Sequence, residues 1–108
     1  MTQKILQINF KFTSSAADYV KMVTPLTDPI AAVPGLNWKV WLMNEKDHEA
    51  GGIYQFRDES SANAYLNSEI VSAMKKQPTI KDISAKLFDV EETLTLKTRG
   101  PIKTVVAA

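Results

Sequence analysis

The only histidine of the sequence lies in its most densely charged stretch. His48 stands between Asp47 and Glu49, within the run 45–49, Glu-Lys-Asp-His-Glu. A carboxylate beside an imidazole can orient the ring as a general base or a proton shuttle, so His48 is a candidate catalytic residue. A solvated loop histidine, or one that seals a contact between subunits, would have the same neighbours, and the sequence does not choose between these interpretations.

Aromatic side chains that could shape a ligand pocket lie close together in the middle of the chain. Trp38 and Trp41 belong to the apolar stretch 36–44 and are three residues apart, so on a strand they point to opposite faces. One could line a pocket for a planar apolar molecule while the other packs into an interface, although core packing would account for both. Tyr54, on the next predicted strand, could offer its hydroxyl to a substrate oxygen or merely satisfy its own hydrogen bond. These three are candidate substrate-binding residues.

Three polar residues interrupt otherwise apolar strand patterns. Asn9, Asn37 and Lys86 carry amide or ammonium donors, which suit a substrate oxygen on which negative charge develops. Asn9 and Asn37 are therefore candidate catalytic residues, and Lys86 is a candidate substrate-binding residue. Polar residues are also common at sheet edges, and Lys86 could simply extend its ammonium group into solvent.

The composition argues against several other classes of function. The chain has 108 residues with 13 Lys and Arg against 12 Asp and Glu, and its net charge of +1 offers no basic surface for nucleic acid. Cysteine is absent, one histidine is not a usual metal-ligand set, and no phosphate-binding loop occurs, so we expect no metal and no cofactor. No apolar stretch is long enough to span a membrane and the first residues lack the apolar core of a signal peptide, so we expect a cytoplasmic protein.

The hydrophobic pattern predicts the elements that must position these candidates. Alternating apolar residues indicate strands over 4–12, 36–44, 50–56 and 83–90. Apolar residues at steps of three and four indicate helices over 15–32 and 58–76. Pro25 and Pro29 predict that the first of these is kinked or divided. After residue 92, a short alternation at Leu94 and Leu96 indicates either a further strand or a disordered tail.

The resulting order, βαββαβ, is that of a ferredoxin-like α+β domain, in which two helices cover one face of a four-stranded antiparallel sheet. Segment 36–44 is apolar on both faces, so the face away from the helices should also be covered. Packing against the sheet of a second copy would cover it, which predicts a homodimer. The chain then divides into a domain over residues 1–92 and a C-terminal tail over 93–108, whose strand could be exchanged with the partner.

The segment 38–56 resembles the YdhR-like mono-oxygenase family of the dimeric α+β barrel superfamily. Its sequence is W-K-V-W-L-M-N-E-K-D-H-E-A-G-G-I-Y-Q-F. The first strand (L-Q-I-N-F-K-F), the Pro34-Gly35 turn, the helix start D-E-S-S-A-N-A-Y-L and the final strand A-K-L-F-D-V resemble the family as well. The resemblance therefore covers most of residues 5–90, while the segment 70–81 and the tail fit it less well.

This resemblance implies a ferredoxin-like protomer whose sheet packs on a partner's sheet to form a dimeric α+β barrel. It also implies a cofactor-independent mono-oxygenase that acts on an apolar, aromatic-like small molecule in a pocket between sheet and helices. Such an enzyme must stabilise a substrate carbanion or enolate until an electron passes to O₂. The superfamily also includes isomerases, lyases, haem-degrading enzymes and members without known activity. A non-catalytic small-molecule-binding dimer, or an isomerase or lyase on the same scaffold, is therefore the alternative.

Overall fold

A computed structural model of the protein describes residues 3–103, in which strands and helices follow the predicted order. The strands are β1 (Lys4–Phe12), β2 (Leu36–Asn44), β3 (Glu49–Phe56) and β4 (Ile80–Asp89). The helices are α1 (Ala16–Val23), α2 (Thr27–Ala31), α3 (Glu59–Leu66), α4 (Glu69–Lys75) and α5 (Glu92–Lys97), with a 3₁₀ turn, Thr24–Leu26, between α1 and α2. Between residues 3 and 103 no helix is both long and apolar enough to cross a membrane.

The four strands form one antiparallel sheet in the order β2-β3-β1-β4. β3 and β1 are the inner strands, and β2 and β4 form the two edges. This arrangement, with helices α1 to α4 covering one face of the sheet, confirms the predicted ferredoxin-like α+β fold.

The core lies between the sheet and these helices. Alternate residues of β1 point into it, as the strand pattern predicts, and they are all at most 3 % exposed: Leu6, Ile8, Phe10 and Phe12. On β3 the same face carries Tyr54, which pairs with Leu6, and Phe56, which pairs with Lys4. The helices complete the core with Tyr19, Ile30, Ala62, Tyr65 and Val71.

Both predicted helical segments are divided by local signals. The first begins at a Ser15 cap, whose hydroxyl accepts a hydrogen bond from the Asp18 amide at 3.1 Å, and it is interrupted by the 3₁₀ turn that contains Pro25. The prediction of one continuous helix over 58–76 is wrong, since α3 and α4 are separate. The chain breaks there because the Ser68 hydroxyl caps a new helix by accepting a hydrogen bond from the Val71 amide.

The segment that follows β4 begins with the helix α5, Glu92–Lys97, whereas the sequence pattern indicated a strand or a disordered tail. The Glu91 carboxylate accepts a hydrogen bond from the Thr93 amide at 3.1 Å and so caps α5. Beyond this helix the Pro101 carbonyl accepts a hydrogen bond from the indole nitrogen of Trp38 at 2.7 Å, which ties the segment to its own sheet. Exchange of the tail with a partner stays a prediction, and residues 104–108 lie outside the described residues.

The second face of the sheet, called the open face below, is only partly covered within the chain, since the segment after β4 contacts Trp38 and Gln3 at one end of it. Val40 of β2 and Phe88 of β4 lie on this face and are 50 % and 44 % exposed. On the opposite face of β2, Trp41 and Met43 are also exposed. The edge strand β2 therefore carries apolar residues on both faces, as the sequence predicts.

Two adjacent glycines of β3 have different structural roles. A Cβ atom on Gly51 would overlap the carbonyl oxygen of Ile8, so the backbones of β3 and β1 approach this closely because no side chain intervenes. A Cβ atom on Gly52 would lie 2.5 Å from Cε of Lys39, which is the flexible end of a side chain from β2.

Replacement of Gly51 by Ala should lower the free energy of unfolding by at least about 2 kcal/mol, because the new methyl group meets backbone that cannot move aside. Gly52→Ala is the matched control, and it should lose less stability because the Lys39 side chain can shift. Urea denaturation of both variants measures the difference. Equal losses would contradict a special backbone approach at Gly51.

Candidate active site

A cleft lies between helices α1 and α2 and the edge strand β2. It consists of two adjoining depressions of about 220 Å³ and 180 Å³, which share Thr27 and Trp41 in their walls. The remaining wall of the larger one is formed by Tyr19, Val20, Val23, Thr24, Leu42 and Met43. The remaining wall of the smaller one is formed by Ile30, Ala31, Leu36, Asn37, Trp38 and Lys39. The larger depression is mostly apolar, whereas the smaller one is lined mainly by polar atoms. A concave apolar surface beside a few polar groups is typical of small-molecule sites.

The ammonium group of Lys39 lies between two aromatic rings at this cleft. Its Nζ is 3.3 Å from the ring centroid of Trp41 and 4.5 Å from that of Tyr54, which is cation–π distance. The pairing of β2 with β3 produces this arrangement, because Lys39 lies opposite Tyr54 and Trp41 lies opposite Gly52. Since Gly52 has no side chain, that of Lys39 can cross the sheet surface above it.

Burial lowers the pKa of Lys39 from its ordinary value of 10.5 to about 7, because the ammonium group loses hydration in the cleft. No carboxylate forms an ion pair with it among residues 3–103. Lys4 shows the opposite case, since hydrogen bonding to Asp89 raises its pKa and Glu59 lies 3.5 Å away. The aromatic faces beside Lys39 attract its charged form and offset part of the lost hydration. Near neutral pH the side chain is therefore present both as amine and as ammonium.

Buried tyrosines make the wall behind this amine rigid. The hydroxyl groups of Tyr54 and Tyr65 form a hydrogen bond of 3.0 Å, and their ring centroids are 5.0 Å apart. Burial raises the pKa of both phenols, and it raises the pKa of Tyr19 to about 12. Tyr19 stacks on Phe12 with 5.2 Å between ring centroids. All three phenols are thus neutral at physiological pH; the hydroxyl groups of Tyr54 and Tyr65 bond to each other, and the three rings pack in the core.

The candidate residues from the sequence are distributed over three regions of the molecule. Trp41 and Tyr54 contact Lys39 on the helix side of the sheet. Asn37 and Trp38 border the smaller depression, but the Asn37 amide donates a hydrogen bond to Gln55 and the Trp38 indole donates to Pro101. The other three candidates do not line either depression. The catalytic or binding role of each of the seven candidates stays a prediction.

Two of those three belong to the open face of the sheet. Asn9 accepts a hydrogen bond of 2.9 Å from the Gln7 side chain. Lys86 is exposed and pairs with Gln7 across the β1–β4 ladder, with its Nζ 5.8 Å from the Phe88 ring centroid. Their donors therefore point away from the cleft of their own chain.

His48 lies in the exposed turn between β2 and β3. Its backbone φ is 52°, its ring centroid is 5.1 Å from that of Phe12, and its carbonyl accepts a hydrogen bond from the Phe12 amide at 2.9 Å. Lys39 lies five residues before Asn44, where β2 ends, which is a distance of about 17 Å along the strand. His48 belongs to the turn beyond that end and is therefore not next to Lys39. No group of three or more His, Asp or Glu side chains within residues 3–103 is arranged to hold a metal ion.

The sequence interpretation missed Lys39, Tyr19 and Tyr65. One available signal was strand alternation, which places Lys39 on the same face as Trp41 and Met43, so that a lysine interrupts an apolar, aromatic face. Nothing comparable distinguishes Tyr19 or Tyr65 from ordinary core residues of amphipathic helices.

The lowered pKa of Lys39 predicts that the protein becomes more stable as the pH rises from 7 to 9. In this range the unfolded chain keeps the proton that the folded protein releases, so the unfolded state binds more protons and the free energy of unfolding rises with pH. The contribution of one such group is at most about 1.4 kcal/mol per pH unit. The buried tyrosines act only at higher pH, since their pKa values are raised.

Urea denaturation of the unmodified protein and Lys39→Met, at equal protein concentration and several pH values, measures this contribution. The rise should disappear in Lys39→Met and persist in Lys46→Met, which removes an exposed lysine of the β2–β3 turn. The same slope in all three proteins would show that Lys39 does not titrate in this range.

Comparisons with known proteins agree with this architecture. The cofactor-independent oxygenase SnoaB from Streptomyces nogalater superimposes with a TM-score of 0.70 at 16% identity, covering 87% of this chain and 98% of SnoaB. NE2512, a protein of unknown function from Nitrosomonas europaea, superimposes with a TM-score of 0.65 at 20% identity, covering 100% of this chain and 98% of the other. The haem degrader MhuD from Mycobacterium tuberculosis, with two haems bound in its active site, gives 0.60 at 15% identity, covering 81% and 95%.

At these identities the solved structures show a shared fold. Among curated proteins none matches the chain. The family described as "Putative mono-oxygenase ydhR" matches residues 5–101. Because this match spans most of the 108 residues, the chain belongs to the ydhR family of putative mono-oxygenases.

Proposed function

We propose that the protein is a cofactor-independent mono-oxygenase that oxidises an apolar, aromatic-like small molecule in the cleft between β2 and helices α1 and α2. The observation that carries this proposal is the Lys39 amine, which has no ion-pair partner within residues 3–103 and lies against the faces of Trp41 and Tyr54. Family membership and the shared fold with an oxygenase support the reaction class.

Lys39 is the proposed general base. In its neutral form the amine accepts a proton from an acidic C–H of the substrate, as in an anthrone-like compound whose CH₂ group lies between aromatic rings. The resulting ammonium remains beside the substrate enolate and stabilises its negative charge in a site of low polarity. A base with a pKa of about 7 can perform both steps near neutral pH.

Molecular oxygen is the oxidant in the next step. The substrate anion passes an electron to O₂, a C–O bond forms at the deprotonated carbon, and the O–O bond then breaks. One oxygen atom becomes the new carbonyl oxygen and the other leaves as water, so that CH₂ and O₂ give C=O and H₂O. The substrate supplies all the electrons, and the balance requires no further reductant.

Aromatic residues position the substrate in this scheme. Trp41 belongs to the walls of both depressions and is 37 % exposed. Because Lys39 Nζ lies 3.3 Å over one face of its ring, the uncovered part of the ring offers the contact surface for a planar molecule. Tyr54 packs behind Lys39 and limits where the amine can lie. Neither packing against Trp41 nor the placing of the amine by Tyr54 requires a further polar side chain. The proposal is therefore independent of Asn9, Asn37 and His48.

Oxygen-electrode measurements with a panel of quinols and anthrone-like compounds test the proposal. We expect substrate-dependent O₂ uptake whose rate rises with pH through about 7, since the base must be neutral. Lys39→Met should lower the rate at least about 100-fold, the usual contribution of a general base. Lys46→Met, the exposed control, should leave it unchanged.

The outcomes also separate the alternatives. Tight binding of aromatic compounds without O₂ uptake would replace the oxygenase by a non-catalytic binding protein. Product formation that continues without O₂ would indicate an isomerase or lyase. Full activity in Lys39→Met would remove Lys39 from the reaction while leaving an oxygenase in place.

We further propose that the open face of the sheet packs on the same face of a second copy. This face exposes Val40 and Phe88, and burial of apolar area of this kind is the main favourable term in stable association. The chain has a mass of 12.0 kDa, so a homodimer has twice that mass.

Sedimentation equilibrium at micromolar concentration should give the dimer mass, and a mass near 12 kDa would contradict the proposal. Val40→Glu should shift the protein toward monomer because it buries a charge in the interface. Val20→Glu is the matched control, since Val20 is 51 % exposed against 50 % for Val40 but lies on helix α1. The control should remain dimeric.

A further inference from the structure

Lys39 differs from the other described lysines in its surroundings. Lys4 is paired with Asp89 and Glu59. The remaining lysines in residues 3–103 are exposed, as for example Lys46 and Lys75. Lys39 alone among the described lysines combines partial burial with the absence of a carboxylate partner. A primary amine in such a place is held in its nucleophilic form without being bound to a counter-ion.

The cleft beside this amine is suited to an aromatic molecule. Trp41 and Tyr54 flank the nitrogen at 3.3 Å and 4.5 Å from their ring centroids, and the larger depression of about 220 Å³ adjoins Trp41. Because the amine itself lies over one face of Trp41, a flat ring that packs against the uncovered edge of Trp41 would bring a substituent within reach of the amine. The electrophile that such a nucleophile attacks without any cofactor is a carbonyl carbon.

We propose that Lys39 is a covalent amine site that captures apolar aromatic aldehydes as imines. The nitrogen lone pair attacks the carbonyl carbon to form a C–N bond, and the carbonyl oxygen takes up a proton to give a carbinolamine. The C–O bond then breaks, both hydrogens of the amine leave with the oxygen as water, and a C=N bond remains. No electrons are gained or lost, so the step needs neither oxidant nor reductant.

This site goes beyond the oxygenase and does not depend on O₂, although both use Lys39. The positioning of the amine depends on Gly52, because a Cβ atom there would lie 2.5 Å from Cε of Lys39. Gly52→Ala therefore moves the amine while keeping it in the chain. Lys39→Met removes this amine and keeps the α-amino group and every other lysine, so it measures the background labelling of those other amines.

The experiment uses 2-naphthaldehyde with sodium cyanoborohydride, which reduces an imine to a stable amine, under anaerobic conditions at pH 7. Intact mass and peptide mapping follow the addition of naphthylmethyl groups with time. We expect one group on Lys39, added at least about tenfold faster than on any exposed lysine, because burial lowers the pKa of Lys39 to about 7 and so provides the neutral amine at this pH. Lys46→Met should label at the same rate as the unmodified protein.

Lys39→Met should show only background labelling, and Gly52→Ala should label Lys39 at least about tenfold more slowly, while tryptophan fluorescence confirms that both variants are folded. Equal labelling of Lys39 and the exposed lysines would overturn the proposal, as would unchanged labelling in Lys39→Met. Oxygen uptake without adduct formation would leave the oxygenase standing and remove the imine site. Adduct formation with no oxygen uptake for any bound aromatic compound would support the imine site and rule out the oxygenase.

Discussion

The pairing of β2 with β3 is the constraint on which the candidate site depends. In this register Lys39 lies opposite Tyr54 and Trp41 lies opposite Gly52. One face of the sheet therefore brings together an amine, two aromatic rings and a glycine that has no side chain. A slip of one residue would send Lys39 and Trp41 to the open face. Strand β3 is in turn held against β1 by the close approach at Gly51. Gly51 thus allows β3 to pair closely with β1, and Gly52 leaves space for the Lys39 side chain.

The energetic balance at Lys39 explains why its chemistry is unusual. Loss of hydration disfavours the ammonium form, and no carboxylate within residues 3–103 restores it. The ring faces of Trp41 and Tyr54 return only part of that free energy. The buried Tyr54–Tyr65 hydrogen bond keeps the wall behind the amine in place. A group that would be inert as a solvated lysine therefore titrates near neutral pH.

The opposite face of the sheet is organised by side-chain amides. Gln55 is fully buried, accepts a hydrogen bond from Asn37 and donates one of 2.8 Å to Gln3. Gln3 donates in turn to Glu92 of α5 at 2.7 Å, which connects the C-terminal helix to the inner strands. Because buried amides cost free energy unless they are paired, this network orients the segment that also covers Trp38. Asn37 was a catalytic candidate from the sequence. In the structure its side-chain amide bonds to Gln55 and so belongs to this network.

The sequence by itself determined the strands, the ferredoxin-like order of elements and the apolar character of both faces of β2, because alternation, capping residues and prolines act locally. It also singled out Trp41 and Tyr54, since large aromatic residues on adjacent strands are visible without coordinates; Trp41 lines the cleft and Tyr54 packs against Lys39, while their substrate-binding roles stay predictions. The break before α4 and the helix α5 were not predicted, because the apolar spacing of these two segments also fits a continuous helix and a strand, respectively, and only the Ser68 and Glu91 caps distinguish them. Only the tertiary structure identified Lys39, because the burial of its amine depends on Tyr54 of strand β3 as well as on Trp41 of its own strand. The hydration of a charged group depends on what surrounds it in space, and the order of residues along the chain does not specify that.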